Sequence, residues 1–113
     1  MLRNAAADKA VVLRFNLSQL SSFAQWKNTA AEQDGYVTGL EPGTDLPNNK
    51  AFERAKGRLQ TLAAGETREF EIALEVLDSS EAVTQRQQEI DALQAQVARR
   101  VHRTPSDDYS PPG

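Results

Sequence analysis

Most of the side chains that could do chemistry together fall in one stretch, Glu41-Pro42-Gly43-Thr44-Asp45-Leu46-Pro47-Asn48-Asn49. Glu41 ends a β-prone run just ahead of a Pro-Gly turn, with Asp45, Asn48 and Asn49 close behind. Carboxylates and amides gathered at a strand end suit a polyhydroxyl ligand, because they accept from and donate to its hydroxyls. A glutamate at the rim of an apolar sheet can also have its pKa raised by desolvation, which suits a general base. The competing reading is a surface loop whose Asx and Thr side chains bond their own backbone. Trp26 offers either core mass or a stacking face. Lys27, next to it, points the other way by strand alternation unless the strand bulges. Arg54, in Phe52-Glu53-Arg54, is placed to clamp Glu41 or to donate to a ligand hydroxyl; otherwise it forms a solvated charge pair. His102 sits in a basic segment beside a polar tail, without the rigid frame a catalytic acid needs.

The elements that must position these residues are mostly strands. Ala10–Asn16 reads as a strand with one buried face, Val11, Leu13, Phe15 and Leu17 sharing a parity. Residues 22–28 and 36–41 read as a hairpin with a long loop turned by Asp34-Gly35. Pro42 and Pro47 bar a central strand from the loop that follows. Residues 50–56 read as a short helical turn stopped by Gly57, and 58–62 as a short strand. In Thr67–Leu77, Phe70, Ile72, Leu74 and Val76 alternate with Glu69, Glu71, Ala73 and Glu75, which predicts an apolar face on the core and an acidic face in water. Asp78-Ser79-Ser80 then offers helix caps, with Glu81 in the first turn. Ala82–Arg103 contains neither Gly nor Pro, and Ile90, Leu93, Val97 and Val101 recur at helical spacing, with Arg99, Arg100 and Arg103 at its end. This stripe is narrow, and packing on the sheet and pairing with another helix both stay open.

The expected organisation is a disordered N-terminus over 1–9, a β portion over 10–78, a helix over 79–103 and a disordered tail over 104–113. The fold class is mainly β, a fragment of an antiparallel β-sandwich with a C-terminal α-helix. Five strands are few for a sandwich whose two sheets must cover each other. An uncovered apolar sheet face is therefore expected, with self-association through that face or through the helix.

Composition removes several function classes. The 113 residues carry 13 basic and 16 acidic side chains, a net charge of −3, without the basic stripe of a nucleic-acid binder. There is no cysteine and one histidine, which excludes disulfides, thiolate zinc sites and multi-histidine metal sites. No cofactor is implied. The chain shows neither a secretory signal pattern nor an apolar run long enough to span a membrane, so no membrane partner is expected and a cytoplasmic location is the default.

Phe23-Ala24-Gln25-Trp26-Lys27, Tyr36-Val37-Thr38-Gly39-Leu40-Glu41-Pro42-Gly43-Thr44, Pro47-Asn48 and Phe52-Glu53-Arg54-Ala55-Lys56-Gly57-Arg58-Leu59 together resemble the C-terminal part of the aldose 1-epimerase-like proteins. Within that galactose mutarotase-like superfamily the chain is most similar to a branch known as a domain of unknown function. Leu62-Ala63-Ala64-Gly65-Glu66-Thr67 resembles the family's turn into its last strand, with Ala64 where proline is usual. The resemblance implies a large antiparallel sandwich that binds a sugar, with Glu41 as general base in the interconversion of anomers and no metal or organic cofactor. Trp26, Lys27, Asp45, Asn48 and Arg54 are the substrate-binding candidates beside it. The family's histidine acid has no counterpart in the body of this chain, and the family's proteins are several times longer. The chain is therefore expected to be a C-terminal fragment, inactive in isolation. The alternatives are a non-catalytic β-module that binds a sugar or a partner, and an interaction protein working through its helix.

Overall fold

The computed structural model describes residues 1–98 and 100–111. It is mainly β, with two antiparallel sheets and a C-terminal helix, in the order β1 (Leu2–Arg3), β2 (Ala10–Phe15), β3 (Ser22–Lys27), a 3-10 turn at Glu32–Asp34, β4 (Thr38–Gly43), α1 (Lys50–Ala55), β5 (Ile72–Leu77) and α2 (Ser80–Gln94). The chain divides into two compact units, Met1–Arg14 with Ile72–Thr104 and Phe15–Glu71 with Pro105–Gly113. Among the described residues, no helix is long and apolar enough to cross a membrane.

The first unit holds a three-stranded sheet ordered β1-β2-β5. Residues 1–9, expected to be disordered, supply its edge: β1 pairs antiparallel with β2, Leu2 opposite Val11 and Arg3 opposite Ala10. The Asn4 carboxamide oxygen closes the intervening loop by accepting from the backbone N–H groups of Asp8 and Lys9, both at 3.2 Å. Ser79 caps α2, its hydroxyl accepting from the Ala82 N–H at 3.2 Å, with Glu81 in the first turn. Ala10, Val12, Leu77 and Val83 form the core, and Met1, Ala7 and Ala82 pack against it.

The expected face of β5 is reversed. Leu74 is 67% exposed and Val76 72%, and Phe70 and Ile72 are exposed too, whereas Leu77 is only 7% exposed. Alternation states which residues share a face of a strand; it is silent on which face another element will cover. Here only Asp78 and Ser79 separate β5 from α2, and the helix sets Val83 in the same core as Leu77. On the parity of Leu77, Glu75 takes the Arg86 guanidinium at 2.8 Å and the Arg14 guanidinium at 3.4 Å. A carboxylate expected to be bathed in water is thus half-buried between two arginines. The parity of β2 is likewise inverted, with Ala10 and Val12 buried rather than Val11, Leu13 and Phe15.

Element lengths also differ from expectation. β5 starts at Ile72 rather than Thr67, and 58–62 is not a strand. α2 ends at Gln94 instead of reaching Arg103, and Leu93, Val97 and Val101 are exposed. A short helix in water is marginal without tertiary cover, and the buried anchor, Val83, lies in its first turns. Arg99, expected at the cationic helix end, lies outside the described residues.

The second unit contains the two-stranded antiparallel sheet of β3 and β4, in register from Ser22–Gly43 to Lys27–Thr38. Gly35, at φ +86°, supplies the left-handed residue the long hairpin loop needs. Asn28 staples that loop, its side chain accepting from the Ala30 N–H at 2.9 Å and donating to the Gly35 carbonyl at 3.2 Å. β4 runs through Pro42, two residues beyond its expected end, because a two-stranded sheet leaves every strand one edge that needs no N–H. The rings of Phe15 and Phe23 stack with centroids 5.7 Å apart, and Leu20 is buried.

Candidate functional site

The register of the hairpin decides which candidate residues meet. Directly opposed residues share a face of a sheet, so Ala24 opposite Glu41 and Trp26 opposite Gly39 put the tryptophan and the glutamate on one side. Gly39, between them in space, leaves that surface bare. The Glu41 side chain folds back over it so closely that a methyl group built on Gly39 would collide with the carboxylate. Trp26 is 52% exposed. The result is an open face with an indole and a carboxylate flanking a glycine. Lys27, opposite Thr38, belongs to the other face; the six pairs run without a bulge, so strand alternation holds here.

A second constellation lies in the loop and helix that follow. Asn49 begins α1 by accepting from the Phe52 N–H at 2.9 Å. Gly57, at φ +71°, ends it: the Gly57 N–H bonds the Arg54 carbonyl and the Arg58 N–H bonds the Glu53 carbonyl, both at 3.0 Å. This left-handed cap turns the chain back so that Arg58 returns to Glu53. Its guanidinium forks onto the carboxylate, Nε to Oε2 and Nη2 to Oε1 at 2.7 Å each. The Asn48 amide donates to Oε1 at 2.7 Å and the Leu46 N–H to Oε2 at 3.3 Å. Glu53 is 1% exposed, the one buried charged side chain among the described residues. The Arg58 hydrogen bonds, with smaller help from Asn48 and the Leu46 N–H, overcome desolvation and hold the Glu53 carboxyl at about 2, below its usual 4.5. The same pairing raises the Arg58 pKa.

The remaining candidates are dispersed by this arrangement. Asn48 gives one amide proton to Glu53 and the other to the Tyr109 carbonyl at 3.0 Å. Asp45 is half-buried in the loop and contributes to the field that raises the Arg58 pKa. Arg54 is exposed on α1; the arginine that clamps a carboxylate here is Arg58, and the carboxylate is Glu53 rather than Glu41. Residue type alone does not mark Glu53 and Arg58 as a pair. The legible signal was the pair of helix punctuators, Asn49 before α1 and Gly57 after it, which bring positions 53 and 58 together. Among the described residues, no three His, Cys, Asp or Glu side chains converge to hold a metal ion.

Fold and site together define a small, mainly β protein whose hairpin carries an aromatic–carboxylate face, followed by a loop braced on a buried ion pair. Residues 1–76, more than half of the chain, match the family described as Domain of unknown function (DUF4432), and the chain belongs to that family. The matched segment includes Trp26, Glu41 and the whole Glu53 cluster up to Arg58. No curated protein and no solved structure matches the chain.

Proposed function

We propose that the Trp26–Gly39–Glu41 face binds a sugar, and that Glu41 is the general base of an aldose 1-epimerase-like reaction in the intact parent protein. The observation that carries this reading is the Glu41 carboxylate lying over Gly39, opposite the exposed Trp26. An indole presents an apolar plane to the C–H face of a pyranose, while a carboxylate beside it accepts from a ring hydroxyl. The missing side chain at position 39 gives the Glu41 carboxylate room to lie across the strand, opposite the indole. At the anomeric hydroxyl, the same carboxylate would take the proton as the ring opens. Ring opening also needs a proton donor at the ring oxygen. No histidine lies on this hairpin, so the reading assigns binding to this chain and turnover to the parent.

Trp26 is the sole tryptophan of the chain and its own reporter. Titration with aldopyranoses is expected to change its emission saturably, and Glu41→Ala to weaken that response. An emission spectrum indifferent to every aldose, in a folded protein, would overturn the reading.

A second reading, a partner-binding β-module, is favoured by Leu2, Ile72, Leu74 and Val76, all exposed on the first sheet. A sheet commonly hides such a face under another sheet, and a second copy of the chain carries the same face. Sedimentation over a wide concentration range tests this reading. A strict monomer removes it.

A further inference from the structure

The cluster around Glu53 does more than brace the loop, because it leaves donors of Asn48 and Arg58 pointing outward, with the Lys56 ammonium beside them. Glu53 consumes the Nε and Nη2 groups of Arg58, and Nη1 donates instead to the Asp108 carbonyl at 2.7 Å. Glu53 consumes one proton of the Asn48 amide, and the other reaches the Tyr109 carbonyl at 3.0 Å. Lys56, one turn of backbone away, sets its ammonium 3.1 Å from an Asp108 carboxylate oxygen. Both cations also flank the Phe52 ring, Lys56 at 5.6 Å and Arg58 at 5.7 Å from its centroid, which limits their freedom. The acceptors arrive as a compact turn: the Tyr109 and Ser110 N–H groups bond the Ser106 carbonyl at 2.8 and 3.0 Å. Composition marks residues 104–113 as a disordered tail, yet this part of it offers two successive carbonyls and a carboxylate to these three donors.

We propose that Asn48, Lys56 and Arg58 form a receptor for the aspartate-bearing turn Ser106–Ser110, which docks on it reversibly in cis. Two of the donors, on Asn48 and Arg58, are oriented by the buried Glu53 carboxylate and not by the tail, and Lys56 stands over the Phe52 ring beside them. Most of the recognition goes to main-chain carbonyls, so the site reads a turn shape plus one carboxylate rather than a long sequence. Asp108 is 80% exposed and its ion pair contributes little alone, which keeps the dock weak and reversible. Tethering offsets that weakness by holding the turn at an effective concentration of order millimolar. The receptor stands apart from the sugar reading and does not depend on it.

The test uses the full chain and a capped peptide of residues 104–110. Tyr109→Pro removes the N–H that closes the turn on Ser106 and drives residue 108 away from a helical turn conformation, while leaving the three donors intact. By NMR, the variant is expected to move the side-chain signals of Asn48, Lys56 and Arg58. Added peptide should bind it saturably and return those signals toward their wild-type positions. Wild-type protein, its site filled, should bind the peptide at least tenfold more weakly. In the wild type, the Tyr109 and Ser110 amides should exchange more slowly than the Asp107 amide. Signals unmoved in Tyr109→Pro, equal peptide binding by both proteins, no binding by the variant, or unprotected Tyr109 and Ser110 amides would each overturn the proposal.

Discussion

Replacing Leu77 and Leu74 separately by alanine tests the inverted face of β5 directly. The two residues lie three apart in one strand and lose the same three carbons on truncation. Leu77 is 7% exposed and sits in the core with Ala10, Val12 and Val83, whereas Leu74 is 67% exposed. Removing three buried carbons costs about 2.4 kcal/mol at roughly 0.8 kcal/mol per carbon, and the cavity left by incomplete relaxation raises this to about 3 kcal/mol for Leu77. About a third of Leu74 is out of water, so the same sum gives roughly 0.8 kcal/mol with little cavity to add. In a domain of this size a loss of 3 kcal/mol lowers the melting temperature by more than about 10 °C, and the lesser loss by a few degrees. Thermal and urea melts followed by far-UV circular dichroism separate the two outcomes. Alternation read along Thr67–Leu77 predicts the reverse order, with Leu74 in the core. A Leu74→Ala protein as unstable as Leu77→Ala, or less stable, would restore that reading and refute the packing described for α2.

On the proposed reading, Glu41→Gln in a longer protein that carries this segment is expected to lower anomer interconversion roughly 10²–10⁴-fold by NMR exchange, the share of a positioned general base, while changing sugar affinity far less. Gly39→Ala should displace the Glu41 carboxylate and cost about 10² in the same assay through misplacement alone, with little change in melting temperature. The Glu53 carboxyl titrates lower folded than unfolded, so its stabilisation is complete above pH 4.5 and fades as pH falls from 4.5 toward about 2. Acid titration of stability should therefore be steeper in the wild type than in Glu53→Gln across that window. Gly57→Ala should destabilise by about 1 kcal/mol in chemical denaturation, because a side chain at φ +71° is strained, and should loosen Arg58 from Glu53.

Much of the local structure was legible in the residues. β2, β3, α1 and the start of α2 fall within a residue or two of their expected bounds, because β-branched runs, Asn49, Gly57 and Ser79 act through their own backbone and need no partner. The hairpin was readable from Asp34-Gly35 and its flanks. The absence of cysteine by itself excludes disulfides and thiolate metal sites. The decisions left to tertiary structure were those in which two distant segments compete for one surface. Which face of β5 is buried depended on where α2 sets Val83, and α2 lost its last turns where no sheet covered Val97 or Val101. Residues 1–9 and 106–110 lack the apolar periodicity of a packed element, so the sequence marks them as loose; pairing of Leu2–Arg3 with β2 and the donors around Glu53 gives each a place. Trp26 and Glu41 came to one face only through the exact register of β3 on β4, since a one-residue slip would send them to opposite sides. Period and propensity act over a few residues, whereas register, cover and the return of Arg58 to Glu53 are set by contacts that form only once the chain has closed on itself.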